Sequence, residues 1–155
     1  MQSTQVWIDL EDTVITSWAE QRLMPRKISK IRKWLRANKI REVRIWSFAI
    51  YNQADMQEFE AVLRDELSVA LDCIITQWPS VQHIQQHVYE YEHIQYDSMF
   101  EFMQLNGKAF SFIKYAMTQQ DVHCVLIDDV VPTLTITDPN KRLLIDLMNI
   151  DRDFT

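Results

Sequence analysis

Gln5-Val6-Trp7-Ile8-Asp9-Leu10-Glu11-Asp12-Thr13-Val14-Ile15 decides how the rest of the chain is read. It is a short apolar run that ends in three acids within four positions, Asp9, Glu11 and Asp12, and resumes with β-branched residues. Carboxylates a few ångströms apart raise one another's pKa unless a cation or hydrogen-bond donors intervene. The cluster therefore either faces water or holds something positive, and the second alternative organises the remaining elements.

Downstream of this strand, Ser17 to Leu23 suits a helical turn or a flap, and Pro25 suits the first turn of a helix. Ile28, Ile31, Trp34 and Leu35 then recur at helical spacing, giving a basic amphipathic helix that Asn38 can stop. Val43 to Ile50 reads as a second strand with Ser47 toward its carboxyl end, and Asn52 or Asp55 can cap the helix carrying Met56, Phe59, Val62, Leu63 and Leu67. Cys73 to Thr76 is a third strand. Ser80 to Glu92 is helical, although Val88 to Tyr96 also suits extended structure.

Asp97 to Leu105 and Lys108 to Met117 form two helical pieces around Asn106-Gly107. Val122 to Ile127 is a continuous, mostly β-branched run, as in a strand covered on both faces, and it runs into Asp128-Asp129. Leu134 to Ile136, the turn 138–141 and Leu143 to Leu147 read as a hairpin or as a strand and a short helix. Alternating strands and helices predict a mostly parallel sheet between two helical layers, with ligands bound beyond the carboxyl ends of the strands. Asp9, Ser47 and Asp128-Asp129 lie at three such ends.

Composition narrows the function classes. A chain of 155 residues with 47% apolar and 25% charged residues fits one globular domain, 1–155. No apolar run approaches the roughly 20 residues of a membrane span and no signal segment opens the chain, so a cytoplasmic protein without membrane contact is expected. Gly107 is the only glycine, which excludes Gly-rich phosphate loops. Cys73 and Cys124 sit in apolar runs without partners at metal-ligand spacing and read as buried thiols.

Three apolar strand ends and one helix start, taken in chain order, resemble the motifs of the haloacid dehalogenase (HAD) superfamily. Ile8-Asp9-Leu10-Glu11-Asp12-Thr13-Val14 is similar to its first motif, Asp-x-Asp-x-Thr/Val after an apolar strand. Arg44-Ile45-Trp46-Ser47 resembles the second, Lys108 after Gly107 the third, and Val125-Leu126-Ile127-Asp128-Asp129 the paired-Asp form of the fourth. The resemblance spans Val6 to Val131. It implies a Rossmann-like three-layer α/β sandwich with a mostly parallel central sheet, HAD-like, with no cap domain or a minimal one.

The resemblance also implies roles. Asp9 would attack phosphorus and form an aspartyl-phosphate. Mg2+ would be held by Asp9, the backbone carbonyl of Glu11, and Asp129 with or without Asp128. Ser47 would hydrogen-bond the phosphoryl group, and Lys108, rather than the mid-helix Lys114, would neutralise its charge. Two positions depart from the family pattern. Asp12 stands where Gly is usual. Glu11 stands where the family has the aspartic general acid and base, and its extra methylene moves the carboxyl by roughly an ångström, a displacement that costs about a hundredfold in rate.

Two functions follow as expectations. One is a Mg2+-dependent phosphohydrolase, attenuated at Glu11, acting on a phosphorylated small molecule or a phosphorylated polymer end. The other is a catalytically lapsed HAD-fold binding or regulatory protein that uses its basic helix, residues 26–39, to contact a polyanion or an acidic protein. Ten of the sixteen basic residues lie between Arg22 and Arg44, with Glu42 the only acid among them, although the chain carries a net charge of −6. His83, His87 and Glu90 share a helical face, but without a further ligand they read as incidental. Trp34, Trp46 and Trp78 read as core or core edge, as do the phenylalanines and methionines of residues 99–117.

Overall fold

The computed structural model describes residues 3–93 and 99–154, except the side chains of 99, 100 and 102–106. Strand β1 is Ser3–Ile8, β2 is Glu42–Ile45, β3 is Ile74–Gln77, β4 is Val122–Asp128, β5 is Leu134–Asp138 and β6 is Leu143–Asn149. They form one six-stranded sheet in the order β3-β2-β1-β4-β6-β5. Every neighbouring pair is parallel except β5 with β6. The opening stretch thus supplies the strand between β2 and β4, and Asp9, Ser47 and Asp128-Asp129 all follow strands running the same way.

Helices cover both faces. Helix α1 is Pro25–Ala37, with Pro25 in its first turn and Asn38 as its C-cap. Helix α2, Gln53–Glu58, passes through a π-helical turn, Phe59–Leu63, into α3, Arg64–Leu71. The buried side chains of α1 and α3, among them Ile31, Leu35, Leu67 and Leu71, pack with Val6, Ile8, Val43 and Ile127 in one core. Helix α4 is Val81–Glu92 and α5 is Met99–Ala116. Ile84, Val88, Phe112 and Ala116 pack on the other face with Trp7, Cys124, Leu126 and Leu147. Alternate side chains of β1 feed opposite cores, as the two-residue strand period requires. The expected mostly parallel α/β sheet with helices on both faces is present, and its architecture is Rossmann-like.

Three local features differ from or refine the sequence reading. β2 stops at Ile45 instead of running to Ile50, because the Ser47 hydroxyl oxygen accepts the Ala49 amide at 3.1 Å and the Ile50 amide turns back to the Ser47 carbonyl at 3.3 Å. Asn52 is the N-cap of α2, in a reciprocal capping box with Asp55. The terminal segment is a hairpin, closed by the Asp138 carboxylate accepting the amides of Asn140 at 3.1 Å and Lys141 at 3.4 Å.

Helix α4 runs to Glu92 and ends at His93, so Val88 is helical; Ile94 to Ser98 lie outside the described residues. Phe112 joins the core, whereas Phe110 is 67% exposed and does not. Both cysteines are buried free thiols. Among the described residues no helix is long and apolar enough to cross a membrane.

Candidate functional site

Asp9 directly follows β1, where its amide still bonds the Ile127 carbonyl of β4 at 3.0 Å. That rung sets the ends of the two central strands side by side, and with them Asp9 and Asp128, which are 1% and 0% exposed. Asp129 is the next residue, half-buried. One carboxylate oxygen from each of the three lies within 4.8 Å of the others.

One cation answers them. The Lys108 ammonium donates to Asp9 Oδ1 at 3.2 Å and lies 3.8 Å from Asp128 Oδ2. Its position depends on Gly107, where α5 breaks at φ 61° and ψ −177°. An L-residue is strained in that backbone region, although a Cβ there would meet no atom within 4 Å. The break is therefore a matter of backbone conformation rather than of space. Lys114, one turn and a half further on, instead pairs with Glu92 at 3.0 Å.

Other groups orient the acids. Thr13 Oγ1 donates to Asp9 Oδ2 at 3.0 Å and lies 3.4 Å from Asp129 Oδ1. The Asp9 carboxylate is thus held from both oxygens. The Val130 amide donates to Asp128 Oδ1 at 3.0 Å. Asn149, at the end of β6, donates its side-chain amide to the Asp129 and Val131 carbonyls at 3.1 and 2.9 Å and so fixes the loop that carries the acids. Asn149 is the contributor the sequence reading missed, and Thr13, which stands in the first motif, has no role assigned there. Thr13 is signalled by its place as the Thr/Val of the first motif, and Asn149 only by a polar residue closing an alternating apolar strand.

Burial pushes Asp9 well above the usual carboxylate range, and Asp128 adds to the rise while Lys108 opposes it. Burial likewise lifts Asp128 to about 6 against the pull of Lys108. Burial alone would lower the Lys108 ammonium, but Asp9 and Asp128 outweigh it and hold its pKa above the ordinary lysine value. Asp128 Oδ2 is buried without a hydrogen-bond partner. One ammonium against three carboxyls leaves the crevice short of positive charge. No family model, curated protein or solved structure matches this chain.

A divalent cation fits what the crevice lacks. Hard cations take carboxylate oxygens, three are gathered here, and one of the acids carries an unsatisfied buried oxygen. Two further sequence candidates, Glu11 and Ser47, accept neighbouring backbone amides. The Glu11 carboxylate accepts the Trp18 amide at 3.0 Å through Oε2, turning toward the flap of residues 11–23, where Ile15 pairs with Leu23. Ser47 is 2% exposed at the end of the adjacent strand connection, and its hydroxyl oxygen is occupied by the Ala49 amide, which leaves its proton to donate. Asp12 adopts φ 61°, the left-handed conformation that Asp tolerates better than most residues.

His83 and His87 stack at 6.4 Å, but Glu90 takes the Gln86 amide and His87 bonds Thr118, so the three form no metal cluster. Among the described residues the Asp cluster is the one group of three or more such ligands that could hold an ion.

Proposed function

We propose that this chain is a HAD-like Mg2+-dependent phosphohydrolase that cleaves a phosphomonoester through an aspartyl-phosphate on Asp9. The observation that carries the reading is a buried Asp9 held by Thr13 and Lys108 next to Asp128, whose Oδ2 lacks a partner. Asp9, Asp128, Asp129 and the Glu11 carbonyl would hold the cation. When bound, it supplies the positive charge that lets carboxylate and phosphate oxygens approach one another.

An Asp9 carboxylate oxygen attacks phosphorus and the bond to the leaving oxygen breaks, with the proton for that oxygen coming from Glu11. Water then attacks the aspartyl-phosphate, gives its proton back to Glu11 and releases inorganic phosphate with Asp9 regenerated. Lys108 balances charge on Asp9 and the phosphoryl oxygens, and the Ser47 hydroxyl donates to one of them. The Trp18 amide holds Glu11 by Oε2, leaving Oε1 for the proton.

The test is hydrolysis of p-nitrophenyl phosphate and a panel of phosphomonoesters with Mg2+, comparing the wild type with D9N and E11D. Loss of turnover in D9N with higher turnover in E11D is expected. An inactive wild type with an active E11D assigns a lapsed catalyst. Three inactive proteins that also bind no Mg2+ by calorimetry overturn the site.

A further inference from the structure

The outer face of α1 has no use in the crevice. Arg26, Lys30 and Lys33 fall at i, i+4 and i+7, so they share one side of the helix, and all three are exposed. Other cations of the same region have partners within the fold: Lys27 reaches Asp151 at 3.2 Å, Arg32 the Ala70 carbonyl at 3.1 Å and Arg36 Asp72 at 3.1 Å. Arg26, Lys30 and Lys33 have no ion pair among the described residues, and neither have Lys39 and Arg41 just past the helix.

Two further observations say what such a face fits. The first turn of α1 holds no acid and its N-cap no side-chain hydrogen bond, so a helix end that already favours anions carries Arg26 as well. The exposed large apolar side chains of the described residues all lie outside 22–44. A protein partner is gripped by apolar and aromatic anchors at an interface centre; within α1 Arg26, Lys30 and Lys33 have no such exposed anchor, and the exposed Val69 and Ile74 line a hollow with Arg36, Lys39 and Arg41 beyond the stripe. A polyphosphate chain needs only the cations, because its affinity comes from released counterions.

The face also adjoins the crevice. Lys27, next to Arg26, donates to the Asp12 carbonyl, in the loop that leaves Asp9. The stripe thus starts beside the loop that holds the proposed nucleophile and runs away from it along α1.

We propose that α1 is a nucleic-acid docking face, and that the phosphomonoester reaching Asp9 is the terminal phosphate of a single strand lying along Arg26, Lys30 and Lys33. The second half of this statement rests on the phosphohydrolase reading; the first does not. The strand is bound through its backbone without base selection, since no exposed aromatic side chain flanks the stripe.

The experiment measures anisotropy of a fluorescent, terminally phosphorylated single-stranded oligonucleotide on D9N, which cannot turn it over, between 0.05 and 0.3 M salt (about this range). Each backbone contact contributes roughly −0.7 to the slope of log K against log salt, so the R26Q/K30Q/K33Q change, made in the D9N background, should flatten the slope by about 2 and weaken binding about a hundredfold at 0.1 M. In the active protein the same triple change should leave p-nitrophenyl phosphate turnover unaltered and lower kcat/KM for the oligonucleotide end.

No binding, a salt-insensitive affinity of D9N itself, or a triple variant with an unchanged slope overturns the docking face. Polyglutamate competing as well as the oligonucleotide overturns it in favour of an acidic protein. Salt-dependent binding with no hydrolysis of either substrate keeps the face and removes the phosphohydrolase reading.

Discussion

The acid crevice and the outer face of α1 handle charge in opposite ways. Asp9 and Asp128 are buried, crowded and relieved by a single ammonium, while Arg26, Lys30 and Lys33 are exposed with no ion pair among the described residues. Burying a charge costs several kcal/mol before any attraction is counted, whereas an exposed one is screened within about 10 Å at 0.1 M salt. The crevice therefore bears on folding, and its three acids form a cluster that could hold a cation. The α1 face bears little on folding, and its meaning lies in what it meets.

Removing the one cation is the severest way to test this contrast. K108M leaves Asp9 and Asp128 buried without a counter-charge, and breaking a buried pair from one side costs about 3–5 kcal/mol. Chemical denaturation at pH 8 should show that loss. It should shrink toward pH 5, where the two carboxyls take up protons. A loss independent of pH would mean that Lys108 acts through packing alone.

Titration gives the next effect. Asp9 and Asp128 have folded pKa values above the unfolded carboxylate value of about 3.9. The folded state therefore keeps its protons longer as pH rises, and stability is lost from about pH 4 upward, through about pH 6 for Asp128. For Asp128, lifted to about 6, the loss is roughly 3 kcal/mol at about 1.4 kcal/mol per pKa unit. Mg2+ should raise Tm at pH 8 and do little at pH 5, because protons compete for the same oxygens. A Tm that ignores Mg2+ at pH 8 would break the link between crevice strain and a cation.

The sequence showed the acids more readily than their surroundings. β1 and β4 are legible as central strands because they are apolar on both faces, and both cores in the structure use them. Their acids follow from where such strands end. Asn149 was not legible, because its contacts with Asp129 and Val131 cross 20 and 18 residues of hairpin and nothing local foretells them. Phe110 misled because helical periodicity groups residues by face without saying which face is covered, and that side of α5 meets solvent. Glu11 lay in the same burst as Asp9, yet the Trp18 amide turns it to the flap.

Gly107 gives a smaller but more local test. G107A forces a Cβ onto a backbone conformation that nearly only glycine adopts, costing about 1–3 kcal/mol. Since that Cβ would meet nothing within 4 Å, the strain should be released by straightening the break, which moves Lys108 away from Asp9. Since Lys108 lowers the pKa values of Asp9 and Asp128, the stability loss should then be accompanied by a steeper fall of stability as pH rises above about 4. The same loss with the pH dependence intact would show that the glycine shapes α5 without positioning the lysine.

The smallest effect belongs to the α1 face, and its sign is informative. Arg26 with Lys30, and Lys30 with Lys33, are like charges one turn apart, each pair costing roughly 0.2–0.5 kcal/mol, and Arg26 also faces the positive end of the helix dipole. Neutralising them in R26Q/K30Q/K33Q should therefore leave Tm unchanged or raise it by a degree or two, about what 0.5 kcal/mol gives in a chain of this size. A protein that keeps such a stripe carries a cost its own fold does not repay, which is the mark of a surface meant for an anion from outside. A Tm lowered by several degrees would place the three cations inside the fold's own electrostatics and remove the contrast with the crevice.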